Sequence, residues 1–189
     1  MEDILREGLS AFLPEYIDLK GNCTIIYSKD AKRLVIEKSI KTVIRLIAKY
    51  YMLDLNEVKK RYKPLVSSSN LIPIALSKSD VFVPIKTRKP LYKNDGAFGY
   101  VNIKYIEKVK DKEDSTYIYL TNGLTIKTLC KLSTVEKHIR DGHIVSKCFE
   151  ERLHMAEVEE SYKTLIPATK ADINLLLNEI RKQFDRFTF

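Results

Sequence analysis

Residues 115–129 read STYIYLTNGLTIKTL. Two runs of alternating β-branched and aromatic residues flank Asn122-Gly123, the strongest short hairpin signal a sequence carries, because both central residues of a type I′ turn need positive φ. The stretch puts antiparallel β-structure in the second half of the chain, and the segments before it extend that reading. PIAL (73–76) and VFVPI (81–85) read as strands around the turn Ser77-Lys78-Ser79-Asp80. GYVNIKYIEKV (99–109) alternates Tyr100, Asn102 and Lys104 against Val101, Ile103 and Tyr105, which predicts a strand with one solvated side. CTIIYS (23–28) and RLVIE (33–37) are further strand candidates, with a turn beginning at Lys29-Asp30.

Helical patterns lie on either side. Ile4, Leu5, Gly8, Leu9, Phe12 and Leu13 form an apolar stripe at helical spacing, which predicts an N-terminal helix ended by Pro14. From Ser39 the apolar positions Ile40, Val43, Ile44, Ile47 and Tyr51 share one helical face, while Lys41, Arg45 and Lys49 make a basic row on another. Asp54-Leu55-Asn56-Glu57 resembles a capping box opening a short helix that carries Lys59, Lys60 and Arg61, stopped by Pro64 before the loop Ser67-Ser68-Ser69-Asn70. Ser133-Thr134-Val135-Glu136 is a second capping box, with Gly142 expected to interrupt its helix. Residues 144–163 read as further helix with an acidic side. Thr169 caps a final helix striped by Ile173, Leu176, Leu177, Ile180 and Phe184. The fold class is therefore α+β: a small antiparallel sheet with β-hairpins, flanked by N-terminal and C-terminal helices.

With 44% apolar and 31% charged residues, the chain has the composition of a globular protein able to bury a core without metals or disulfides. No apolar run approaches a membrane span, and the acidic start MEDILREGL does not read as a secretory signal, so a cytoplasmic location and no membrane contact are expected. Cys23, Cys130 and Cys148 are odd in number and lack a CxxC pair, which suits a reducing compartment. The formal net charge of +8 hides an asymmetry: residues 19–148 hold 26 lysines and arginines against 12 aspartates and glutamates, whereas 1–18 and 149–162 each set one arginine against five carboxylates. A basic body between acidic ends suggests a polyanion partner, most simply nucleic acid, although solubilising lysines give the same balance.

Catalytic signatures are absent. There is no phosphate-cradling glycine loop, nucleophile elbow or His-Glu-x-x-His motif, and Asp95-Gly96-Ala97-Phe98-Gly99 precedes a strand, which makes it a hairpin loop. Cys130, His138, His143 and Cys148 are metal-ligand types at spacings that fit no compact knuckle, and Cys148 with His143 lacks an orienting third group. Asp111, Glu113 and Asp114 fall in a solvated turn. No enzyme, metal or cofactor is expected. Tyr50-Tyr51, Tyr117 and Tyr119 read as core or sheet residues rather than base-stacking ones.

What remains is basic. The row Lys41, Arg45, Lys49 and the cluster Lys59-Lys60-Arg61 have the character of phosphate contacts or of a solvated face, and their two helices mimic a helix-turn-helix whose second helix is short. In VFVPIKTRKPLY (81–92), Pro84 and Pro90 stiffen a loop bearing Lys86, Thr87, Arg88 and Lys89, with Lys93 just beyond. The loop is either a charged surface turn or a contact element. In the second case Arg88 enters a narrow A·T-rich minor groove, where the potential is most negative.

The order of these features resembles the ComK family of competence transcription factors. The resemblance runs from RLVIEKSIKTVIRLIAKYY through PIALSKSDVFVPIKTRKP and GYVNIKYIEKV to IYLTNGLTIKTLCKLSTVEKHIRDG, about residues 34–142, as the pattern of a distant member. Phe98 or Tyr100 stands where the family carries tryptophan, and 56–61 replace its Gly-Arg segment. The resemblance implies a ComK-like DNA-binding domain over 1–148, including the N-terminal helix, followed by a helical extension, 149–189. It implies a transcriptional activator that reads A·T-rich double-stranded DNA largely through the minor groove, as a homo-oligomer on its site. It also implies control by an adaptor protein of an AAA+ protease. The alternative is a protein-interaction module that docks a partner through the acidic segment 149–162 and the amphipathic final helix.

Overall fold

The computed structural model describes residues 1–68, 70–113, 115–165 and 169–185, without the side chains of 156, 157, 159–165 and 183–185. The expectations for Ser69 and Asp114, and for the side chains of Glu157, Glu159, Glu160 and Phe184, lie outside these residues. The chain divides into two units, Met1–Glu150 and Glu151–Phe189.

The fold is α+β. In the first unit, α1 (Glu2–Glu7) precedes β1 (Leu9–Ile17), β2 (Gly21–Ser28) and β3 (Arg33–Ile36); α2 (Ile40–Tyr50) and α3 (Leu55–Tyr62) follow. Then come β4 (Ile74–Ala75), β5 (Val81–Lys86), β6 (Phe98–Asn102), β7 (Ile106–Lys112), β8 (Ser115–Leu120) and β9 (Thr125–Thr128). α4 (Leu132–Leu165) continues past Glu150, and α5 (Lys170–Asp185) lies in the second unit. One antiparallel sheet has the order β3-β2-β1-β6-β5-β4, and a second has β7-β8-β9. No helix among the described residues is long and apolar enough to cross a membrane.

Three patches of core explain the layering. Leu9, Phe12, Ile26 and Phe82 on one face of the six-stranded sheet pack against Ile40, Val43 and Ile47 of α2 and Leu5 of α1. Ala11, Val83, Ile85 and Val101 on the opposite face meet Ile118, Leu120 and Ile126 of the three-stranded sheet and Val135 of α4. Tyr62, Ile72, Ala75, Val81 and Val145 close the third patch, joining α3, β4, β5 and α4. The central strands are thus covered on both sides, so their sequences run continuously apolar rather than alternating. Tyr100, stacked on Phe12 at 5.2 Å, lies deep enough that burial pushes its hydroxyl up to about 12.

Four expectations are corrected. The N-terminal helix stops at Glu7, where Gly8 turns to φ 102, and the stripe from Leu9 to Leu13 continues as β1. Pro14 does not end a helix; it sits within β1 after the pairing with β6 has ended at Phe12, and strands accept proline where the ladder does not need its N–H. The run 99–109 is not one strand. It breaks after Asn102, whose buried side chain accepts from Lys104 N (3.1 Å) and donates to Leu9 O (3.1 Å) and Asp80 Oδ1 (2.9 Å), so β6 and β7 enter different sheets across a 3₁₀ turn. Gly142 does not interrupt α4. A Cβ there would lie 2.6 Å from Val83 Cγ1 and 2.9 Å from Ile103 Cγ2, so glycine lets the helix approach the sheet. At the Asn122-Gly123 hairpin only Gly123 has positive φ (84°), so the connection is not type I′. Asn122 instead accepts from Leu124 N and donates to Ser28 O and Lys29 O, which ties the hairpin tip to the β2–β3 turn.

Candidate nucleic-acid interface

The basic row of α2 is set by the packing of its other face. Ser39 caps the helix, accepting from Thr42 N; Ile40, Val43, Ile47 and Ala48 are buried, which turns Lys41, Arg45 and Lys49 outward. The helix ends in a Schellman turn: Leu53 N donates to Ala48 O (2.8 Å), Met52 N to Lys49 O (3.1 Å), and Met52 takes φ 53 at the position usually held by glycine. That turn, with Leu53 packed into the core, fixes the direction in which α3 leaves. Asp54 Oδ1 then caps α3 by accepting from Asn56 N (2.7 Å) and Glu57 N (3.3 Å). Glu57 faces Lys60 at 3.9 Å, an exposed pair of small energetic weight.

Arg45, Lys49 and Lys59 consequently line one open cleft of about 610 Å³ with Met52, Leu53 and Asp54. Lys41 lies one helical turn before Arg45, and Lys60 and Arg61 are exposed on α3 outside the cleft lining. Among the described residues, Lys41, Arg45, Lys49, Lys59 and Arg61 have no carboxylate at ion-pair distance.

The segment between β5 and β6, residues 87–97, forms a pinned loop. Arg88, expected to enter a minor groove, is turned inward. Its Nε donates to Gly96 O (2.8 Å), its Nη2 to Asn22 Oδ1 (2.6 Å), and its guanidinium lies 4.0 Å from the centre of the Tyr16 ring. Asn22 Nδ2 donates to Asp95 Oδ1 (2.9 Å), the Tyr16 hydroxyl donates to Asp95, and Leu91 N donates to the same hydroxyl (2.7 Å). Gly96 admits the loop against Ile40, where a Cβ would overlap the isoleucine. The backbone of Lys86 is also engaged, its carbonyl accepting from Leu129 N and Thr128 Oγ1. Thr87 is half-buried. What the loop presents outward is Lys89, Leu91 (69% exposed), Tyr92 (74% exposed) and Lys93. An exposed leucine–tyrosine pair between two lysines is suited to a groove, since minor-groove binders combine cations with apolar wedges.

The remaining chemical candidates separate. His138 is buried with both ring nitrogens lacking partners among the described residues, whereas His143 is exposed and Cys148 packs against the core beside Phe149. Among the described residues no three His, Cys, Asp or Glu side chains gather as a metal site. Asp111 and Glu113 line a cleft with Cys130 and Glu136, and Asp111 accepts from Thr116 Oγ1. Tyr16, Asn22 and Asp95, which hold the loop, gave no sequence signal: they lie 66 to 79 residues from their partners. Comparison with protein-family models, curated proteins and solved structures returned no match.

Proposed function

We propose that the chain is a sequence-selective DNA-binding protein that regulates transcription. The reading is supported by the convergence of Arg45, Lys49 and Lys59, with no carboxylate at ion-pair distance among the described residues, on one cleft between α2 and α3. Cations spaced along a surface neutralise backbone phosphates and position the duplex without reading it. Reading falls to the pinned loop, where Lys89, Leu91, Tyr92 and Lys93 meet a groove and Arg88 positions them from behind. Within that class, the protein acts in the manner of ComK-like activators, on A·T-rich sites and with more than one copy per site. Binding selection from random duplexes, repeated with a minor-groove-blocking drug, tests this. Enriched A·T tracts that the drug abolishes support it; a selected pool with no base preference removes sequence selectivity.

A second reading has its own observation. In α5, Ile173, Leu176, Leu177 and Ile180 lie on one face and are 45–63% exposed, the pattern of a helix that docks an apolar partner surface. Such a partner fits the adaptor of an AAA+ protease expected from the family resemblance. A chain cut after Glu150 that still binds DNA but escapes degradation in cells would assign α5 that role; unchanged turnover would deny it.

A further inference from the structure

We propose that the outer face of β7-β8-β9 is a second nucleic-acid surface that takes unpaired bases. This goes beyond the duplex reading and does not depend on it.

The register gives the argument. Lys108 is opposite Tyr119, which is opposite Thr125; Lys110 is opposite Tyr117, which is opposite Lys127; Lys112 is opposite Ser115. Residues directly opposite one another share a face, so two tyrosines stand in the middle strand with lysines on both flanks. The other face carries Ile118, Leu120, Ile126, Thr116 and Thr128 and is buried against the core. The outer lysines are exposed and the tyrosines half-buried; Lys108 Nζ lies 5.4 Å from the Tyr119 ring centre. Tyr117 and Tyr119 are two strand residues apart, about 6.8 Å, a separation that lets successive bases of an extended strand reach successive rings.

Two of the acidic groups nearby stand off this face. Glu107 occupies the bulge between Ile106 and Lys108 and pairs with Lys108 at 2.9 Å, and Asp111 belongs to the inner set, bonded to Thr116. Lysines on the two edge strands, β7 and β9, also discourage edge pairing, but that role does not call for tyrosines in the central strand. A second observation extends the surface. Thr125 and Lys127 line a cleft of about 350 Å³ shared with Tyr16, Thr87 and Arg88. In that neighbourhood Thr87 Oγ1 and Arg88 Nη1 are buried without hydrogen-bond partners among the described residues, and the cleft's carboxylate, Glu15, faces Arg33 at 3.8 Å. Lys127, which lines this cleft, belongs to the Lys110–Tyr117–Lys127 row, so the cationic face continues to the edge of the β5–β6 loop. Aromatic platforms flanked by cations bind single strands through stacking that tolerates any base.

The experiment is fluorescence anisotropy with labelled oligo-dT and oligo-rU of a dozen nucleotides in about 50 mM salt. The intact chain binds them, and Tyr117→Ala with Tyr119→Ala weakens binding by about tenfold or more, while Tyr→Phe at both positions keeps it. Lys110→Glu with Lys127→Glu, both exposed and away from the core, produces a comparable loss should the alanine pair fail to fold. The Arg45, Lys49 and Lys59 alanine variant keeps single-strand binding, which separates this face from the duplex cleft. The relative affinity for the two oligomers tells DNA from RNA as the source. Absence of binding by the intact chain, or unchanged binding by folded Tyr117→Ala/Tyr119→Ala or Lys110→Glu/Lys127→Glu variants, overturns the proposal.

Discussion

Replacing Arg88 with alanine separates a residue that reads DNA from one that holds a loop. In the fold its guanidinium makes two hydrogen bonds, to Gly96 O and Asn22 Oδ1, and stacks on Tyr16. Bonds to a charged group contribute about 1.5–3 kcal/mol each, and the half-buried setting of Arg88 argues for the lower end. Stacking adds about 0.5–1 kcal/mol. Because all three contacts share one group they are not additive, and a loss near 3 kcal/mol is expected. At about 2–4 °C per kcal/mol for a chain of this size, that lowers Tm by about 6–12 °C, measured by circular dichroism or calorimetry. Arg88→Lys recovers little, since an ammonium has neither the planar fork nor the stacking face. Lys89→Ala with Lys93→Ala leaves Tm in place and weakens DNA binding. An Arg88→Ala protein with unchanged Tm and a selective loss of A·T preference would refute the positioning role and return Arg88 to the groove.

Other expectations follow from the packing and titration of α4. Gly142→Ala places a methyl group against Val83 and Ile103 and costs about 1–3 kcal/mol in denaturant unfolding; a neutral result would mean that the helix–sheet contact is loose. Burial holds the His138 imidazole below its ordinary value of 6.5, with Asp141 opposing the shift and Lys137 adding to it. The unfolded chain therefore binds a proton that the folded chain refuses. Stability is fully present above pH 6.5 and declines as pH falls below it toward the depressed folded value. His138→Leu flattens this part of the pH profile in urea titrations; an unchanged slope would move the acid sensitivity elsewhere.

The features legible in the sequence are those settled by near neighbours. Asn122-Gly123 joins two strands because a short turn needs glycine at its left-handed position, and Ser39 begins α2 because its hydroxyl reaches Thr42 N. The outward row Lys41, Arg45 and Lys49 follows from the helical period alone. The segment 9–13 reads as helix in the sequence because a strand covered on both faces and a helix stripe share the same apolar residues; Gly8 decides for the strand through its backbone angle. The division of 98–112 between two sheets turns on Asn102, whose partners Leu9 and Asp80 lie far away in sequence. The inward turn of Arg88 carries no sequence signal for the same reason: its acceptors come from β2 and from the far end of its own loop. Met52, which shapes the cleft through an αL turn without glycine, carried no local signal.

The proposed duplex binding rests on the cations between α2 and α3. The most direct measurement is the salt dependence of binding to an A·T-rich duplex by the intact chain and by the variant with alanine at Arg45, Lys49 and Lys59. Each lost phosphate contact reduces the slope of log K against log salt by about 0.9, so the triple variant has a slope shallower by about 2–3 with Tm unchanged. An identical slope for the two proteins, or no duplex binding by the intact chain at low salt, would contradict it.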